Sequence, residues 1–358
     1  MMSIRVPAWS WIAPLAGCLA LAGAGYGGMF HVVLALALSA CVLAAVHHAE
    51  VIAHKVGEPF GTLVLALAVT VIEVALIVSL MITGGEATEA LARDTIFAAI
   101  MIILNGIVGI CMLVGGVRHH EQVFGTRGVS STLAVLAALS VLTLILPNYT
   151  TSVAGPSYSP AQLMAVAIVS LVLYATFVLV QTVSHRDYFL PKGALARDEH
   201  SHAPQPTAWT TAASAVLLLV ALVAVVLLAK AIAPALEAAV AAAGAPKAVV
   251  GVVIAALVLM PEGLAAVRAA RANRLQTSMN LALGSALASI ALTIPAVAAV
   301  TLLSGWNLVL GLDAKSTVLL GLSLLVATIS LSTGRTTVLQ GAVHLVIFAV
   351  YLVTTVIP

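Results

Sequence analysis

Charge is what this sequence has least of. Asp, Glu, Lys and Arg make up 8% of its 358 residues, where a soluble globular domain carries about 25%. With 62% hydrophobic residues, that scarcity excludes a soluble domain and marks an integral membrane protein. Aromatics are also sparse, at 5%. The apolar stretches are long Ala/Leu/Val runs, not the short alternating segments of a membrane barrel, so the spans are helices. There are three cysteines, Cys18, Cys41 and Cys111, all within apolar runs. They form no disulfide framework and no metal-binding spacing. A net charge of +2 with no basic cluster leaves no nucleic-acid partner to expect. No GxxxxGK[ST] string is present, so an ion gradient rather than ATP is the expected energy source.

A membrane helix needs about 20 apolar residues, and that rule predicts about eleven segments. Their expected limits are 8–25, 29–48, 60–83, 95–117, 129–147, 161–183, 209–231, 246–268, 278–303, 315–333 and 338–356. Leu15-Ala16-Gly17-Cys18 resembles a lipoprotein cleavage box. The apolar run continues past Cys18, however, and Pro14, Trp9 and Trp11 interrupt its core, so a retained first helix is expected. With the N-terminus inside, 11 of the 15 Lys and Arg residues fall on the cytoplasmic side. That is the sense of the positive-inside rule, and it puts the C-terminus outside. The one long polar break, 184–208, reads as a cytoplasmic linker. Its charged patch from Asp198 to His202 reads as an ordinary solvated loop.

With the first helix (1–28) set aside, ten spans remain, five in 29–183 and five in 209–358. An odd number per half gives the halves opposite orientations, the inverted-repeat plan of many secondary transporters. The expected fold is therefore an all-α polytopic membrane protein with one extra N-terminal helix and two five-helix inverted repeats. Each half carries one glutamate in its second span, Glu73 and Glu262. At about 1.5 Å per residue they stand about 20 Å and 24 Å in from the segment starts. Helices entering from opposite sides would bring them together near the middle.

A carboxylate in hydrocarbon costs at least about 2.5 kcal/mol, so an intramembrane glutamate is a functional candidate by default. Its oxygens are hard ligands suited to calcium and sodium. In a low-dielectric interior a carboxyl group favours its neutral form, and a bound cation reverses that preference. One such group holds either a proton or a metal ion, which is the minimum machinery of an antiporter. Supporting polar groups come from Thr70, Asn105, Ser285 and Ser289. Ser285, Ser289 and Thr293 share a helix face by their four-residue spacing. Pro261 frees a backbone carbonyl one turn earlier. Glu50, His54 and Glu58 read as a cytoplasmic vestibule. His344 stands alone midspan, a position suited to a hydrogen-bonded packing residue.

The strings GEPFGTLVLALAVTVIEVALI, MPEGLAAV, NLALGSALASIALTIP and STGRTTVLQGAVHL closely resemble the ChaA-like bacterial calcium/proton antiporters of the calcium:cation antiporter superfamily. The resemblance covers nearly the whole chain. It implies two oppositely oriented α-repeats, a central cation site with one glutamate from each, and export of Ca2+, Na+ or K+ in exchange for external protons across the bacterial cytoplasmic membrane. By motif those glutamates are Glu73 and Glu262. Related exchangers have Gly-Asn-Ala-Thr-Glu and Gly-Asn-Ala-Ala-Glu at these places. Here the strings are Val69-Thr70-Val71-Ile72-Glu73 and Val258-Leu259-Met260-Pro261-Glu262, without either asparagine. Fewer neutral oxygens leave the choice between Ca2+ and a monovalent cation open. The expected activity is thus a proton-coupled cation antiport, with no cofactor and with the cation and the lipid bilayer as partners. The alternatives are a Na+ or K+/proton antiporter, a passive channel, and a membrane metalloenzyme using His47, His48 and His54.

Overall fold

The computed structural model describes residues 7–57, 60–84, 88–190 and 206–357. Glu58 and the linker patch Asp198–His202 lie outside them. The described chain forms eleven helices: α1 Ala8–Leu21, α2 Phe30–Val56, α3 Phe60–Gly84, α4 Leu91–His119, α5 Thr126–Tyr149, α6 Pro160–Ser184, α7 Ala208–Ala242, α8 Ala248–Arg271, α9 Leu275–Ser304, α10 Ala314–Ser332 and α11 Val338–Val356. Among the described residues, nine of them are long and apolar enough to cross a membrane.

The boundaries follow local chemistry. Ser159 opens α6 by accepting from the Gln162 backbone N–H, and the Gln162 side chain returns the bond to the Ser159 N–H. Thr207 caps α7 and Asp313 caps α10 in the simpler way. Burial alone would raise the Asp313 carboxyl. Its hydrogen bonds from Ser316, with the charges of Lys315 and Arg93, outweigh that and hold it below the usual carboxylate range. Gly305 ends α9 in the left-handed region at φ 72°.

Three elements differ from the expected limits. α1 has 14 residues, about 21 Å of helix, which is shorter than the hydrocarbon core. The glycine-rich stretch Gly23–Gly28 breaks it, with Gly27 and Gly28 both at positive φ. α2 runs on to Val56 through His47, His48 and Glu50, because its polar residues there find partners or solvent. α7 has 35 residues and passes through Pro234 without ending, since the flanking alanines and leucines are strong helix formers.

Two apolar clusters hold the bundle together. One joins α2 and α7 to single faces of α3 and α8, through Leu34, Cys41, Val42, Val225, Leu228 and Ile254 among others. The second and larger one joins α4, α5, α6, α9, α10 and α11 to the remaining faces of α3 and α8. α3 and α8 are therefore shared between the clusters, and they are the helices that carry Glu73 and Glu262. Gln122–Val123 and Arg335–Thr336 pair as two short antiparallel strands, tying the α4–α5 loop to the α10–α11 loop.

Candidate cation and proton site

Glu73 stands near the middle of α3 and Glu262 near the middle of α8. Both are buried, at 2% and 7% exposure, so neither is a surface charge. Both turn toward α9. The Ser289 hydroxyl donates to Glu73 Oε1 at 2.6 Å. The Ser285 hydroxyl donates to Glu262 Oε2. Residues four apart on a helix have Cβ atoms about 6 Å apart. The carboxylates are thus anchored one turn from each other on a single helix, close enough for their charges to interact. Thr293 continues the same face of α9. Its hydroxyl is buried and makes no hydrogen bond to the described residues.

α8 stays helical through Pro261, which has no N–H to donate to the carbonyl one turn earlier. A polar network at the α8–α9 turn fixes the hairpin that carries Glu262, Ser285 and Ser289. Gln122 Nε2 donates to the Ala270 carbonyl and to Asn273 Oδ1, each at 2.9 Å. The Gly125 N–H donates to Gln276 Oε1 at 2.6 Å, Gln276 donates to Asn280, and Asn280 donates to the Phe189 carbonyl.

The other expected site residues fall elsewhere. Thr70 is buried one turn before Glu73, but its hydroxyl donates to the Ala66 carbonyl of its own helix. Asn105 is fully buried, yet its bonds go to Ser323, His344 and Met101 Sδ and not to a carboxylate. It sits in a π-helical turn of α4, Ile102–Ile107, which re-aims its side chain toward α10 and α11. Ser323 was not among the expected residues. A midspan serine in an apolar stretch was the one signal available for it, and many such serines only pack. Glu50 and His54 are exposed on the last turns of α2, and Glu50 lies within electrostatic reach of Arg268.

The histidine cluster proposed for a metalloenzyme is a helix contact instead. His48 Nε2 meets the Ser10 carbonyl at 2.9 Å, and His47 stacks at a tilt on Trp9. Both rings hold α1 against α2. Among the described residues, no group of three or more His, Cys, Asp or Glu side chains is placed to hold a metal ion.

Comparison with known proteins agrees with this architecture. A family model described as sodium/calcium exchanger protein matches residues 27–183 and 213–357. The "Putative ionic transporter y4hA" of Sinorhizobium fredii (strain NBRC 101917 / NGR234) is 50% identical over 365 residues, covering 99% of this chain and 98% of its own. The sodium-potassium/proton antiporter ChaA of Escherichia coli (strain K12) is 37% identical over 352 residues, covering 96% of this chain and 95% of its own. A crystal structure of the H+/Ca2+ exchanger CAX superposes with a TM-score of 0.72 at 16% identity, covering 96% of this chain and 86% of that one. At that identity the likeness speaks for the fold alone.

Proposed function

The chain belongs to the sodium/calcium exchanger protein family of cation transporters, and from that premise we propose that it is a proton-coupled antiporter in which Glu73 and Glu262 alternately hold a cation and protons. The observation that carries the reading is the pair of buried carboxylates bonded to Ser289 and Ser285, one turn apart on α9. The two family-matched blocks, 27–183 and 213–357, flank the polar linker. That division supports two inverted repeats preceded by an extra N-terminal helix. In this reading the N-terminus is cytoplasmic, the C-terminus is periplasmic, and the protein sits in the bacterial inner membrane.

Two carboxylates balance the charge of a divalent ion. The hydroxyls of Ser285, Ser289 and Thr293 are neutral oxygens of the kind calcium accepts. Cytoplasmic Ca2+ is therefore the first cargo to test. A second reading, exchange of Na+ or K+ with one carboxyl remaining protonated, is favoured by the named activity of the 37%-identical ChaA relative. Proton movement in everted vesicles, driven by each ion in turn, separates the two. Absence of proton exchange with all three ions would sink the assignment.

Competition fixes the sign of the pH dependence. A protonated carboxyl does not ligate a cation, so raising the pH on the cation-loading side strengthens cation binding. The KM for the cation is expected to fall by up to about tenfold per pH unit for each competing proton. A KM that stays level while the pH rises contradicts the shared site.

The serines are expected to act on affinity. A hydrogen bond to a charged group is worth about 1.5–3 kcal/mol. Ser289→Ala and Ser285→Ala should each raise the cation KM about tenfold or more, with a smaller change in maximal rate. Cation titrations of exchange in vesicles read this directly.

A further inference from the structure

A second buried polar cluster lies where α4, α10 and α11 meet, and its proton directions can be read. The Ser323 hydroxyl has one proton, and its acceptors are the Leu319 carbonyl at 2.7 Å and Met101 Sδ at 3.3 Å. Ser323 Oγ therefore accepts from Asn105 Nδ2, at 2.8 Å. With the amide placed this way, its nitrogen faces α10 and its oxygen faces α11. Asn105 Oδ1 can only accept, so His344 Nδ1, 3.3 Å away, carries the proton. His344 is then the neutral Nδ1–H tautomer. Its Nε2 is buried and makes no hydrogen bond to the described residues.

This chain of bonds ends beside the carboxylate site. Asn105 lies inside the π-helical turn of α4, and that turn packs against α8 and α9. Ile107, its last residue, abuts the residue that follows Glu262. A Cβ built on Gly263 would stand 3.1 Å from Ile107 Cδ1. Counted from their first residues, Leu91 in α4 and Leu275 in α9, Asn105 and Ser289 each stand 14 residues in. Asn105 thus holds the same place in α4 that a carboxylate-binding serine holds in α9, while serving a different purpose.

We propose that His344 is a positioning residue for the exchange: through Asn105 it holds the π-helical turn of α4 against Gly263, and so sets where Glu262 sits. This rests on the antiport reading above. The role needs a neutral Nδ1–H donor and no titration. No charged side chain interacts with the ring among the described residues, and the Leu104 carbonyl is a second acceptor within its reach. On the helices packed against α11, Asp94 of α4 interacts instead with Tyr351, about two turns further along α11. Glu262 of α8 is bonded to Ser285, and Lys315 of α10 donates to the Thr354 carbonyl. Cys111 of α4 lies beside Ser278 of α9.

Three variants of the full chain test the donor directly. His344→Asn keeps an N–H near the Nδ1 position, His344→Gln moves it to the Nε2 position, and His344→Leu removes it. In everted vesicles, the cation KM is expected to rise about tenfold in His344→Leu and His344→Gln, the loss of one buried hydrogen bond. In His344→Asn it should stay within about threefold of wild type, with an unchanged pH profile. Equal KM values in all three variants, whether impaired or normal, would overturn the proposal. So would a flattened pH profile in His344→Asn, which would make His344 a proton carrier. Glu262→Gln is measured alongside. Undiminished exchange in that variant refutes the antiport site itself, whereas lost exchange there with no effect at His344 refutes only the positioning role.

Discussion

Glu73→Gln and Glu262→Gln are each expected to lower cation-driven proton exchange by at least about 100-fold, the loss of a charged ligand worth about 3 kcal/mol or more. Folding should survive both changes. Glutamine has the shape of glutamate, and its carbonyl oxygen still accepts from Ser289 or Ser285, which are the partners the structure gives the two carboxylates. Removing a buried charge is neutral or favourable when the hydrogen bonds persist. The melting temperature of the purified variants should therefore match wild type within a few degrees. The double variant should be no worse than either single one, because groups that act as a unit lose their function once. Wild-type exchange in either single variant would end the assignment, and so would an additive double.

Both glutamates stood out in the sequence for one reason: a charge inside an apolar run is costly and needs partners. The four-residue spacing of Ser285 and Ser289 was legible too, as a helix face. What no spacing discloses is that one helix, α9, serves both carboxylates. The Ser289 to Glu73 bond spans 216 residues of sequence. Asn105 shows the limit more sharply. A midspan asparagine announces that it needs partners, but its oxygen and nitrogen partners lie 218 and 239 residues away on α10 and α11. The π-helical turn that points it there leaves no mark in an Ile/Leu-rich string.

The helix count followed from apolar length, and the deviations have local causes. α2 exceeds its apolar stretch because His48 is capped by the Ser10 carbonyl of α1, and Glu50 reaches solvent. A polar residue ends a span only where it lacks such an outlet. α7 continues past Pro234 because a proline kinks a long helix without ending it when both flanks propagate. α1 stops early because four of the residues from Gly23 to Gly28 are glycine, and two of these adopt positive φ.

Gly341→Val is expected to destabilise the fold. Membrane helices associate through close packing at small residues, and α4 and α11 do so at Gly341. A Cβ there would lie 2.5 Å from the Leu113 backbone nitrogen and 2.9 Å from the Gly109 carbonyl oxygen. Those are backbone atoms and cannot turn aside, so the helices must part. Gly116 meets the same wall from the other side, where a Cβ would lie 2.7 Å from the Val338 nitrogen. Overpacking a tight contact costs about 1–3 kcal/mol, occasionally more, and a branched side chain against backbone belongs at the upper end. The melting temperature should fall by about 4 °C for a loss near 3 kcal/mol in a chain of this length. Gly341→Ala should fall less, and its surviving protein should still exchange poorly, because His344 lies one turn along α11 and is drawn away from Asn105. Gly321→Ala is the control. It sits on an exposed face of α10 with nothing within 4 Å of the added atom, and replacing glycine by alanine within a helix stabilises by about 0.5–1 kcal/mol. Equal melting temperatures for Gly341→Val and Gly321→Ala would mean that α4 and α11 do not meet at this glycine.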